Sequence, residues 1–559
     1  MRSRFTSFVI AGSAIVAAML VTAAPSLAAS GSSSSWPRYL HDDSGSGFTA
    51  DGGISAAGVT RLKPAPGWPV KLGGSITTQP IVANGLVYAG AWDGYEYALR
   101  RDGSLQWKTY LGRTRNCFFT DTVGQVAGVV STAAATSELI NGSTRPVLYV
   151  GGGGNLDARG ALIPHPTARL YALDALTGEV LWSTALGSAP GHLSWASPMI
   201  YNHSVYMGVS SYNDCPLIQG QLVKLDARSG AIQKTFNVVP TGCEGGSVWG
   251  SPVVDTQRGD LYFVTGNARI CSILGPQWGR YPHTKRGTIA FILGLLGVGL
   301  ALVSWRLAFG RLVISLGIAI AALGIGVGTV YMVGPTLSIA RPYAISIVKL
   351  GAADLQLEGY WHVPASDDTD HDFGTTPTLF QGRVTPDGTQ RALVGAVNKD
   401  GFYYVFDRAD INAGPVARIR IAHGRDTDPT RGNGSISPSA YDGKYLYIAG
   451  GMAQLPLGSF AGSVSAFDPS HLERPVWQQG TSAPILGAVT AMPGLLVVGA
   501  GSSTVFLDSA SGNPVFASAV TSAAKPKPAV IYGAATVANG VIYQGDTYGY
   551  LYALTVDGR

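Results

Sequence analysis

At 559 residues, with 46% hydrophobic and only 13% charged side chains, the chain can bury a large core and is too apolar to be disordered. A net charge of +5 over that length, without an extended Lys/Arg run, gives no electrostatic footprint for nucleic acid. The 74 glycines suit many short strands joined by tight turns.

The first element is Met1–Ser30. Arg2 and Arg4 precede the apolar run Phe8–Val21, and Ser26-Leu-Ala28 offers small residues for cleavage. That order predicts a secretory signal over residues 1–28, with an uncleaved anchor as the alternative. Either places the remainder outside the cytoplasm, and Ser30–Ser35 reads as a flexible lead-in.

The body of the chain is repetitive. Tyr171-Ala-Leu-Asp-Ala-Leu-Thr-Gly-Glu-Val-Leu-Trp182 places an Asp…Thr-Gly turn between two strand-like runs, the pattern of a β-hairpin. Variants begin near Tyr97, Val223, Ile347, Tyr404, Ser465, Val505 and Tyr552, about eight copies in all. Each follows another pair of strand-like runs, which predicts an all-β, eight-bladed β-propeller. The last copy stops at its turn, Asp557-Gly-Arg559. An orphan Trp68-Pro-Val-Lys-Leu-Gly73 resembles Trp107-Lys-Thr-Tyr-Leu-Gly112, so residues 67–73 are expected to complete the last blade and remove an open edge.

The repeat is interrupted once. Residues 287–335 hold uncharged runs Gly287–Trp305 and Leu312–Pro335 on either side of Arg306 and Arg311. Each run could cross a bilayer core of about 30 Å. An inserted transmembrane α-hairpin is expected, dividing the propeller into 36–286 and 336–559; two buried helices are the alternative. The basic residues on both sides leave orientation to the signal peptide. Cys117, Cys215, Cys243 and Cys271 allow three pairings, with Cys215–Cys243 preferred because the two flank one blade. No C-x-x-C-H run is present, so no covalently attached haem is expected.

Three stretches depart from plain repetition. They are Gly245-Gly-Ser-Val-Trp-Gly-Ser-Pro252 leading to Thr265-Gly-Asn267, the acidic Ser366–Pro377 (SDDTDHDFGTTP), and Val397–Arg408 (VNKDGFYYVFDR). In these motifs the chain resembles the pyrroloquinoline-quinone (PQQ) dehydrogenase propellers, particularly the polyvinyl-alcohol dehydrogenase branch. The resemblance implies the quinoprotein alcohol dehydrogenase-like fold, with PQQ and Ca²⁺ as cofactors. It assigns Trp249 as the flat floor under the cofactor and Lys399 and Asn398 as cofactor contacts. Asn267 and, more loosely, Asp214 become calcium ligands, and Asp370 the general base with Asp372 beside it. These residue types suit the chemistry. An indole stacks a planar quinone, calcium takes Asn and Asp oxygens, a carboxylate accepts an alcohol proton, and an ammonium balances a reduced quinone. Each residue also has a plainer reading: Trp249 as packing, Asn267 and Lys399 as turn residues, the aspartates as a solvated loop.

Departures from the family pattern are also visible. Thr77 stands where many such enzymes carry Glu, Ser435 and Ile436 stand where Asn and Trp are usual, and the adjacent cysteine pair is missing. The expected function is a PQQ-dependent oxidation of a small or polymeric alcohol on the extracytoplasmic face of the membrane, with a membrane quinone as electron acceptor. A non-catalytic propeller that scaffolds envelope proteins or binds a ligand is the alternative.

Overall fold

Hairpin turns explain why the repeats fold as they do. Asp174, Asp226 and Asp508 each accept backbone N–H groups from two and three residues ahead, which closes the turn. A glycine at positive φ, Gly178, Gly230 or Gly512, then releases the chain into the next strand. In the computed structural model the chain forms eight sheets, each built on four antiparallel strands, and such turns join the third and fourth strands of seven of them. Seven of the eight sequence copies fall on such hairpins, and the eighth, at Tyr552, falls on the last strand of the chain. The structure describes residues 34–559 except 116–125, 141, 188–191, 213–216, 242, 269–282, 307–310, 334–342, 365–369, 384–387, 425–427 and 520–528. The expected signal sequence, residues 1–28, lies outside the described residues.

Neighbouring blades are joined through the turns. The Trp107 indole N–H donates to the Ala175 carbonyl of the next blade at 3.0 Å, and the Tyr88 hydroxyl donates to the same oxygen. Trp182 and Tyr149 do the same to Ala227, and Trp477 and Tyr447 to Ser509. Turn glycines permit this approach: a Cβ on Gly178 would lie 2.6 Å from the Trp107 ring, and one on Gly230 2.5 Å from Trp182. Each joint therefore combines aromatic burial with one or two hydrogen bonds.

The ring closes by the same device. Val70–Lys71 pairs with Leu551 and Tyr550 of the last blade, and Trp68 donates to the Arg101 carbonyl of the first at 2.9 Å. Leu62–Pro64 pairs further along the same strand, with Val556 to Leu554, a contribution the Trp68 motif did not reveal. At the opposite end, hydroxyls stitch the innermost strands. Gln79 N–H donates to Thr132 Oγ1, Thr132 to Ser197 Oγ, Ser197 to Ser251 Oγ and Ser251 to Thr376 Oγ1, at 2.7–3.0 Å. Five consecutive blades are thereby fixed at equivalent positions just ahead of their first strands.

The insertion joins the second and third strands of blade 4, Asp260–Val264 and Ser346–Gly351. It forms two antiparallel helices of 24 and 23 residues, His283–Arg306 and Arg311–Val333. Small residues bring their backbones together: Cβ atoms on Gly297 and Gly317 would fall 2.6 Å from Ala321 N and 2.8 Å from Ala301 N. Leu296, Leu302, Trp305, Leu316 and Leu323 remain exposed on the outside. Among the described residues no helix is long and apolar enough to cross a membrane. The expected α-hairpin is thus present as a helical pair, while its spanning of a bilayer is not shown. Cys243 is disulfide-bonded, and the other three cysteines, including Cys215, lie outside the described residues.

Candidate functional site at one mouth of the propeller

Strand direction decides which residues can meet. The first strand of each blade runs away from one face and the second returns to it. The starts of first strands, the ends of second strands and the connections between second and third strands therefore share that face. Trp249 precedes the first strand of blade 4 and Asp372 that of blade 5, while Asn267 and Lys399 follow the respective second strands, Asp260–Val264 and Arg391–Asn398. The helical pair leaves from the same face. Asp214 belongs to the matching connection of blade 3 and lies outside the described residues.

Blade 5 supplies the charged groups. The Lys399 ammonium is 2.9 Å from Asp370 Oδ1 and 3.2 Å from Asp372 Oδ2. Burial opposes its charge, but the adjacent Asp372 and Asp370 carboxylates prevail and hold the ammonium above the usual lysine range. Lys399 therefore stays protonated at neutral pH. The two carboxylates differ: Asp370 is 47% exposed, whereas Asp372 is buried and its Oδ1 also accepts the Asn267 backbone N–H at 2.6 Å. Gly266 permits that contact, since a Cβ there would sit 3.2 Å from the carboxylate atoms.

Asn398, expected among the cofactor contacts, is fully buried and its amide is committed elsewhere. Nδ2 donates to the His371 carbonyl at 2.7 Å and Oδ1 accepts from Asp400 N–H at 2.8 Å. With the Lys399 N–H bond to the Asp372 carbonyl and the Phe373–Asn398 bridge, it clamps the acidic loop onto the Lys399 turn. Its place is behind the site, because a buried amide with both ends satisfied has little left to offer a ligand.

Trp249 provides the apolar surface. It is half-buried, and its ring centre lies 5.3 Å from the Lys399 ammonium. A Cβ on Gly374 would stand 2.7 Å from the indole and 2.6 Å from Ile436 Cγ2, so the glycine lets the ring lie against the backbone of blade 5. Asn267 is half-buried, and among the described residues its carboxamide forms no hydrogen bond. Ser435 is buried with its hydroxyl donating to the Ala449 carbonyl, and the Thr77 hydroxyl accepts from the Trp92 indole N–H.

The site thus joins Trp249, Asn267, Asp370, Asp372 and Lys399. Gly266 and Gly374 were not singled out in the sequence, although each sits inside a quoted motif. The fit to a quinone rests on the half-exposed indole and the nearby ammonium. The fit to a metal is thinner: among the described residues no group of three His, Cys, Asp or Glu side chains could hold an ion.

Comparison with known proteins agrees with this architecture. The PQQ_2 family model, described as outer membrane protein assembly factor BamB, matches residues 147–286. Polyvinylalcohol dehydrogenases from a Pseudomonas species and from Sphingopyxis sp. (strain 113P3) are 26% and 23% identical over 40% and 44% of this chain. Those matches cover only 34% and 37% of the relatives' own length. The quinohemoprotein alcohol dehydrogenase of Comamonas testosteroni superposes with a TM-score of 0.63 at 16% identity, covering 94% of this chain and 81% of that one. A europium-containing methanol dehydrogenase gives 0.59 at 13% identity, covering 92% and 91%. Such low identity shows the shared propeller fold. Over part of its length the chain is thus similar to PQQ-repeat proteins and to polyvinylalcohol dehydrogenases, on a propeller fold it shares with quinoprotein dehydrogenases.

Proposed function

We propose that this protein is a PQQ-dependent alcohol dehydrogenase working from the mouth formed by blades 4 and 5. One observation carries the reading: a buried carboxylate, Asp372, and an ammonium, Lys399, meet beside the half-exposed indole of Trp249. Bound PQQ would supply the hydride acceptor. Trp249 would support the planar ring, and Lys399 would balance negative charge on the quinone oxygens. Asp370 and Asp372 are the available bases for the alcohol proton. Asp372 is the better positioned, held by Asn267 N–H and Lys399, and Asp370 is the more accessible. Asn267 would offer its carboxamide oxygen to Ca²⁺ together with a carboxylate, and Asp214 is proposed as a further ligand. Asn398 acts by holding the loop.

The helical pair is proposed to anchor the protein in the membrane on its extracytoplasmic side. The two helices expose Leu and Trp outward, which suits contact with lipid. Because they leave from the site's own face, a membrane quinone is a suitable electron acceptor. A second reading, a non-catalytic propeller that scaffolds envelope proteins or binds a ligand, is favoured by the spent hydroxyl of Ser435 and by Thr77, neither of which supplies the acid or amide that the dehydrogenases use there.

Reconstitution of the full chain with PQQ and Ca²⁺ distinguishes the two. Saturable binding with alcohol-dependent dye reduction supports the enzyme, and failure to bind PQQ at any calcium concentration supports the scaffold. Flotation with liposomes tests the anchor separately.

A further inference from the structure

We infer that Trp195 and Trp92 extend the mouth into an aromatic shelf that holds the hydrocarbon part of the substrate, selecting alcohols with long aliphatic chains. The inference rests on the alcohol-oxidising reading above and deepens it. Trp195-Ala-Ser-Pro198 repeats Trp249-Gly-Ser-Pro252 one blade earlier. The hydroxyl chain proves the equivalence, because the Ser197 N–H donates to Ser251 Oγ at 2.7 Å. Followed backwards, the same chain pairs Ser197 with Thr132 and Thr132 with Gln79, which makes Val130 and Thr77 the counterparts of Trp195 in blades 2 and 1.

The position that provides the floor in blade 4 is thus apolar in blades 2 and 3. In blade 1, Trp92 binds Thr77 by its indole N–H at 2.9 Å. Trp92 and Trp195 pack against one small cluster that includes Val130, Leu193 and Tyr212. Trp195 is held in place by an indole N–H bond to the Ser211 carbonyl at 3.1 Å and by the Tyr212 ring 6.0 Å away. Both tryptophans are only half-buried, and both have their N–H groups occupied, so what each can present to a ligand is ring surface. Aromatic ring surface thus stands on blades 1, 3 and 4, and the ion pair described above stands on blade 5. Such a mouth suits a molecule with a hydroxyl at one end and a carbon chain long enough to reach the shelf.

The test is a chain-length series, from ethanol through butanol and hexanol to octanol, on the PQQ-loaded wild type, Trp195→Ala and Trp92→Leu. The wild type is expected to show KM falling with chain length. Trp195→Ala should raise KM for octanol roughly tenfold and leave ethanol turnover and kcat nearly unchanged. Octanediol binding, measured by calorimetry without PQQ, should weaken in parallel, and thermal unfolding controls for folding. A wild type whose KM and octanediol binding ignore chain length overturns the shelf, as do variants that bind every alcohol like the wild type. Loss of dye reduction with all alcohols while octanediol binding still depends on Trp195 would instead overturn the dehydrogenase reading and leave the shelf standing.

Discussion

The two ends of the propeller are built on opposite principles. At the turn end, three blade boundaries repeat one joint: an Asp-capped turn, a glycine at positive φ, and a Trp and a Tyr from the preceding blade on one carbonyl. At the mouth, the position ahead of the first strand in blades 1 to 5 is Thr77, Val130, Trp195, Trp249 and Gly374 in turn, no two neighbours alike except the tryptophans. Repetition at one end supplies the rigidity that frees the other to vary, and a site grafted on a rigid ring needs little more than the right side chains.

Substitutions can break this division of labour. The largest effect is expected at the mouth without loss of fold: Asp372→Asn should lower kcat by about 10²- to 10⁴-fold while PQQ binding persists, measured by dye reduction and cofactor titration. Asp370→Asn compared in the same assay shows which carboxylate is the base, since the exposed bystander should cost far less. At the turn end the pattern reverses. Trp107→Ala removes a buried indole and its bond to Ala175, and should destabilise by about 3–5 kcal/mol in chemical denaturation with the specific activity of folded protein unchanged.

A subtler effect lies between the blades. Glu96 is fully buried, neither carboxyl oxygen has a hydrogen-bond partner among the described residues, and burial pushes its pKa well above the ordinary value. A carboxyl raised on folding favours the native state below the unfolded pKa of 4.5, and that contribution is lost as pH rises through the folded value. Glu96→Met should therefore stabilise the protein at neutral pH, with an advantage that shrinks toward acid; thermal melting at several pH values reads this directly. The smallest change is expected from Ser197→Ala, which removes one link of the hydroxyl ring and should cost about 1 kcal/mol.

Much of this was legible beforehand for particular reasons. The Asp…Gly turns announce themselves because a tight hairpin needs those residues locally. Trp249, Asn267, Asp370, Asp372 and Lys399 could be named because each lies in a stretch that departs from the repeat. For Asn398, expected as a cofactor contact, sequence does not show where a carboxamide points, and here both its ends are taken by His371 and Asp400. Leu62–Pro64 is not legible as a strand because three residues carry no periodicity, and only their pairing with Val556 to Leu554 makes them one.

The sequence by itself determined the number of blades and the position of the inserted helices, since turns and apolar runs are written by neighbouring residues. Only the tertiary structure decided that Asp372, rather than Asp370, is the buried carboxylate, and that Gly266 and Gly374 make room for it and for the Trp249 ring. Those facts depend on atoms more than a hundred residues apart being brought within a few ångströms by the closed ring, and no local pattern encodes such a distance.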